Sequence, residues 1–127
     1  MITVQLPYPP STNRMWRNFR GVSVLSDEGR TFKAKAGWLA KQAGARCMTE
    51  DVAVAVTLHA KTKKNGQASA TVLDLDNSLK AALDAMQGVA YANDKQIKRI
   101  AAAYGAPMPD GGLTVCVMRA HEMKESN

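Results

Sequence analysis

Hydrophobic positions along the chain switch between a period of two and a helical period, and the switches outline the fold. In VAVAVTLH, Val52, Val54, Val56 and Leu58 stand at alternate positions, which predicts a half-buried strand with the larger side chains inward. ITVQL (2–6), RGVSVL (20–25) and GLTVCVMRA (112–120) read as further strands. PYPPSTN, after the first of them, reads as a loop, because its prolines lack backbone donors and forbid a continuing helix. Ser26 is placed to cap a helix opening with Asp27 and Glu28, and Phe32, Ala36, Leu39 and Ala43 form its apolar stripe to about residue 46. NSLKAALDAMQG (77–88) has the period of a second helix, with Leu79, Leu83 and Met86 on one face, Asp76 or Asn77 as cap and Gly88 as its stop. KTKKNGQASA (61–70) has the composition of an exposed, mobile loop, and HEMKESN, from about 121, that of a frayed tail. The pattern predicts an α+β protein without internal repeats.

Composition narrows the class. A chain of 127 residues matches one domain with a core of its own, so a single domain over 1–127 is expected. No run approaches the roughly 18 apolar residues of a membrane span, and MITVQLPYPP lacks the basic start and apolar stretch of a secretory signal. A cytoplasmic location is therefore expected. Cys47 and Cys116 stand in no metal-ligand spacing and are expected to be reduced and packed, and His59 and His121 lie far apart in sequence. That argues against zinc.

The net charge of +6 is unevenly spread: residues 1–50 hold eight Lys or Arg against three acids. Arg14, Arg17 and Arg20 recur every third residue around Trp16 and Phe19, a basic stretch with interleaved aromatics of the kind that can track phosphates. The same residues also suit a solvated, merely soluble segment.

Against that basic background, TVLDLDNSLKAALDAMQGVAYANDKQI (71–97) gathers Asp74, Asp76, Lys80 and Asp94. Were VLDLD extended, Asp74 and Asp76 would point to one side about 7 Å apart, with Lys80 one helical turn beyond Asp76. Asp94 lies in a turn-like segment able to fold back toward the helix. Clustered carboxylates repel unless a cation neutralises them, and oxygen ligands of this type suit Mg2+ or Mn2+. Spacing alone leaves plainer roles open: Asp76 as a helix cap, and Lys80 with Asp84 as an ordinary helical ion pair.

Taken together, LPYPPSTNRMWR, LDLDNSLKAALDAM and YANDKQI resemble the RusA family of Holliday-junction resolvases, small metal-dependent endodeoxyribonucleases often carried by phages and prophages. The resemblance covers most of the chain in the same order. It implies a mixed β-sheet packed by two main helices, with IKRIAAAY, which composition alone would make helical, as a strand. It also implies that Asp74, Asp76 and Asp94 hold a divalent ion, that Lys80 is catalytic and that Asn77 supports the site. Further implications are a homodimer and four-way or branched DNA as substrate, nicked symmetrically in recombination and repair. Asn13, Arg14, Arg17, Arg20, Lys61, Lys63 and Lys64 are the expected DNA contacts. Two departures stand out. Asn93 occupies a position where the family often has a second acid, and Thr71, Val72 and Leu73 stand where basic residues are common. Two other readings fit the acids: a nucleotide-sugar transferase using Asp-x-Asp for metal and diphosphate, for which the chain is short, and a non-catalytic DNA-binding module with structural acids.

Overall fold

The protein is described by a computed structural model covering residues 1–69 and 72–124. Thr71, the last residue of the 61–70 loop and the end of the tail lie outside the described residues. Its elements are β1 (Ile2–Leu6), α1 (Thr12–Met15), β2 (Trp16–Phe19), β3 (Val22–Leu25), α2 (Asp27–Gln42), β4 (Val52–His59), α3 (Leu75–Met86), β5 (Ile97–Tyr104) and β6 (Gly112–Arg119).

Four strands form one mixed sheet in the order β1-β6-β4-β5, with β4 antiparallel to β6 and parallel to β5. The period-two pattern sets its faces. Val4 and Leu6, Val52, Val54, Val56 and Leu58, and Leu113, Val115 and Val117 are buried on the side covered by Phe32, Ala36 and Ala40 of α2 and by Ala81, Ala82, Ala85 and Met86 of α3. The opposite side is polar at one end, where His59 Nε2 lies 2.8 Å from Thr114 Oγ1, which in turn donates to Gln5 Oε1 at 3.0 Å. The small alanines of both helices let backbone approach backbone above the valine-rich sheet.

Strand β5 confirms the family-based expectation over the local one. Its alanines pair with β4 residue for residue from Ala53↔Arg99 to Leu58↔Tyr104, so the sheet overrides their helix propensity. Ser26 caps α2 as expected, accepting from Gly29 N at 3.0 Å.

Several local expectations are corrected. Helix α2 ends at Gln42, with Ala43 as an exposed C-cap and Gly44 at φ +96°, so the chain turns away before residue 46. The proline loop gives way at Thr12 to the single turn α1, and RGVSVL is only half a hairpin: β2 precedes it, with Arg20 and Gly21 as the turn. In α3 the fully buried face runs through Ser78, Ala82, Ala85 and Met86, while Leu79 and Leu83 are half-buried. Cys47 is exposed rather than packed; Cys116 is half-buried and receives the Thr3 hydroxyl at 3.6 Å. The tail is ordered further than expected, through a helical turn at Ala120–Glu122 that Arg99 Nη1 secures by donating to Met123 O at 2.5 Å.

Candidate active site

The largest revision concerns the start of α3. The helix begins at Leu75, so Asp76 lies inside its first turn and VLDLD is not an extended segment. Asp74 is the cap: its Oδ1 accepts from Asn77 N at 3.0 Å, the role expected of Asp76 or Asn77. A helix N-terminus presents unpaired N–H groups and a partial positive charge, which this carboxylate answers at the shortest reach. Asp74 and Asp76 are both exposed, one at the cap and one at the second helical position.

Along α3 the spacing of three and four residues then aligns Asn77, Lys80, Ala81, Asp84 and Gln87, which form one wall of a cavity of about 350 Å³. Asp94 and the arm residues Pro10, Thr12, Met15 and Trp16 also line it, as does Leu83. Of the residues singled out from sequence, the structure brings together Asn77, Lys80 and Asp94. Asp74 and Asp76 stand just outside the cavity, at the mouth of the same helix. Asp84, Thr12 and Trp16 were missed; the i, i+4 step from Lys80 to Asp84 and the i, i+7 step from Asn77 to Asp84 were the available signal.

The two walls are joined directly. The Thr12 hydroxyl donates to Asn77 Oδ1, so α1 and α3 meet beside Lys80. On the other side of α1, Gly29 lets α2 come close, since a Cβ there would collide with the Met15 carbonyl, to which Ser26 N donates at 2.9 Å. Among the described residues no ion pair joins Lys80 to Asp84.

Asp94 is held by its neighbours. Asn93 Oδ1 accepts from Lys95 N at 2.9 Å and Asn93 N donates to Gln96 Oε1 at 2.7 Å, a reciprocal cap on the turn Asp94–Gln96. Gln96 Nε2 donates to Met48 O and Glu50 O, both at 2.8 Å, which anchors the turn to the segment entering β4. Asn93, a departure from the family pattern, thus has a structural task. Tyr91, buried just before this turn, donates its hydroxyl to Leu83 O at 2.6 Å; burial, then the charges of Asp84 and Asp94, push its phenol well above the usual range.

The donor chemistry fits a hard divalent ion, because every candidate ligand is a carboxylate or amide oxygen. Among the described residues, however, no three His, Cys, Asp or Glu side chains are grouped closely enough to share one. The carboxylates reaching the cavity are Asp84 and Asp94.

The basic residues fall on two neighbouring surfaces. Arg14 and Lys61 line a second cavity of about 680 Å³ with Tyr8, Pro10, Val72 and Leu73. Arg14 Nη2 pairs with Glu28 Oε1 at 3.2 Å, and Lys61 Nζ sits 5.3 Å from the Tyr8 ring centroid. Arg17 and Arg20 belong to the β2–β3 hairpin, while Asn13, Lys63 and Lys64 are exposed outside both cavities.

A mixed sheet with two helices on one face, and an acid–lysine cavity bordered by the N-terminal arm, define a small α+β protein. The sequence model described as Endodeoxyribonuclease RusA matches residues 7–117, and the chain belongs to that family. Among curated relatives, the crossover junction endodeoxyribonuclease rusA of Enterobacteria phage HK97 is 30% identical over 111 residues, covering 87% of this chain and 88% of the relative. The crossover junction endodeoxyribonuclease RusA of Escherichia coli K12 is 29% identical over 97 residues, 75% of each chain, as is that of Shigella sonnei Ss046.

Proposed function

We propose that this chain is a crossover junction endodeoxyribonuclease that resolves four-way DNA by hydrolysing opposed phosphodiesters in the presence of Mg2+, with Mn2+ as a substitute. The observation that carries the reading is the cavity in which Lys80, Asn77 and Asp94 converge in a chain of this family. Asp74, Asp76 and Asp94 would hold the ion. Asp76 is an exposed side chain that can change rotamer, and Asp74, whose Oδ1 caps the helix, has a second carboxylate oxygen to offer, so ion binding itself can gather them. A divalent ion held there would supply Lewis-acid polarisation of the scissile phosphate and would lower the pKa of the attacking water.

The chain's own residues do the remainder. Lys80, exposed and without an ionic partner among the described residues, directs its ammonium at charge developing on the phosphate in the transition state. Asn77, fixed by the Thr12 hydroxyl, holds the wall from which Lys80 projects. The Asn93–Gln96 cap fixes Asp94 opposite α3. Arg14, Arg17, Arg20 and the lysines at 61, 63 and 64 contribute salt-sensitive phosphate contacts that position the DNA without reading its bases.

Resolution needs two sites related by symmetry, hence a homodimer. Strand β5 supports one: it is a sheet edge eight residues long, with Ile100 and Tyr104 about half exposed and Ala101, Ala102 and Ala103 uncovered. Long apolar edges are templates for pairing with another chain. No described helix is long and apolar enough to cross a membrane, and we place the protein with its DNA in the cytoplasm. The test is a synthetic four-way junction labelled on each strand in turn, incubated with Mg2+ or with chelator. Symmetric nicks that require Mg2+ support the reading; binding without cutting favours a non-catalytic module.

A further inference from the structure

The β2–β3 hairpin stands apart from the main sheet. Its register, Trp16↔Leu25, Arg17↔Val24, Asn18↔Ser23 and Phe19↔Val22, assigns each residue to a face. Trp16 and Leu25 share the face that packs against the core. Phe19 and Val22 lie on the other face at the tip, 52% and 60% exposed. Arg17 and Arg20 place their guanidinium carbons 5.9 and 5.3 Å from the Phe19 ring centroid.

The turn itself is unusual. Arg20 and Gly21 both have positive φ, +51° and +78°, the geometry of a two-residue hairpin loop that Asn-Gly ordinarily fills. Arg20 is the one non-glycine residue with positive φ among those described, and it occupies a conformation that Gly, Asn or Asp takes more easily. An apolar blade flanked by two cations, on a hairpin strained to carry one of them, calls for an occupant that is both flat and anionic. Residues 12–25 contain no Asp or Glu. The hairpin's base, Trp16, lines the cavity with Lys80 and Asp94, and three residues of strand put the tip about 10 Å from that wall.

We propose that the Phe19–Val22 tip is a stacking wedge that enters branched DNA at its branch point, with Phe19 against the exposed face of a base pair and Arg17 and Arg20 on the flanking phosphates. This rests on the reading of the chain as a junction nuclease and adds to it a source of structure selectivity. A continuous duplex offers no open base-pair face away from its ends, whereas a branch point does. Every base has an aromatic face, so the wedge reads branching rather than sequence.

The experiment places 2-aminopurine at the branch point of a four-way junction, or about ten base pairs away, and adds wild-type protein in chelator so that no strand is cut. Wild type is expected to raise the fluorescence of the branch-point probe alone. Phe19→Ala and Val22→Ser, both at exposed positions, are expected to abolish the rise and weaken junction binding roughly tenfold while barely changing duplex binding; Phe19→Tyr should keep both. An undiminished rise with bound Phe19→Ala would overturn the wedge while leaving the nuclease reading intact. Loss of junction and duplex binding in equal measure would make the tip a general contact and equally overturn it. Failure of the wild type to bind or cut junctions would bring down both.

Discussion

Thr12 and Asn77, 65 residues apart in sequence, share a hydrogen bond that ties the N-terminal arm to the helix carrying Lys80. The bond fixes the amide oxygen of Asn77 toward the arm and seals one side of the cavity. Thr12→Val keeps the shape and removes the donor. The expected outcome is a stability loss of about 1 kcal/mol in urea unfolding and a several-fold lower cleavage rate, because the arm and α3 no longer hold their spacing. A full rate with the stability loss would confine the bond to a structural task.

Lys80 separates surface from site. A solvated lysine without a partner contributes almost nothing to stability, and Lys80→Ala is expected to melt like the wild type. Its single-turnover cleavage at saturating junction and Mg2+ should nevertheless fall at least roughly tenfold. Lys80→Arg should restore only part of the rate, since a planar guanidinium spreads its charge and donors differently from an ammonium.

The basic arm acts through counterion release. Replacing Arg14, Arg17 and Arg20 together by Ala should weaken junction binding and flatten the slope of log affinity against log salt by up to about three, one for each phosphate no longer neutralised. An unchanged slope would remove these arginines from the DNA interface. Arg14 already pairs with Glu28, so its own share should be the smallest.

Tyr91 gives the fold a signature in alkali. Its phenol is raised in the folded state, so the native protein keeps a proton that the unfolded chain releases above about pH 10. The stabilisation is therefore complete below that pH and declines as pH rises beyond it. Tyr91→Phe loses the bond to Leu83 O, at about 1 kcal/mol near neutrality, and its unfolding free energy should fall less steeply above pH 10 than that of the wild type. Parallel curves from denaturant melts at about pH 8 to 11 would contradict this.

Much of the architecture was legible because burial writes period directly. The alternating valines of β4, the cap and stripe of α2 and the run that becomes β6 all follow from which positions must leave water. Strand β5 was legible only through family resemblance, since alanine carries no period and its pairing with β4 is a tertiary fact. Strand β2 escaped because WRNF buries nothing beyond its base: Trp16 packs inward, while Arg17, Asn18 and Phe19 are exposed. At the site, residue types were readable and their arrangement was not. Asp74 takes the cap at the expense of an extended Asp-x-Asp, and Asp84 rather than Asp76 lines the cavity. Asp94 could be named from sequence, whereas the Asn93–Gln96 cap that holds it depends on carbonyls at 48 and 50.

The most direct test of paired cutting uses a supercoiled plasmid that extrudes a cruciform, which presents a four-way junction within one closed circle. Opposed nicks made in a single encounter linearise the plasmid, whereas isolated nicks relax it to an open circle. With Mg2+ the wild type is expected to yield linear product as the main early species, chelator should suppress it, and Asp76→Asn should bind the cruciform without cutting. Early open circles with linear DNA appearing only later, or full activity in Asp76→Asn, would contradict a symmetric, metal-dependent resolvase built on this site.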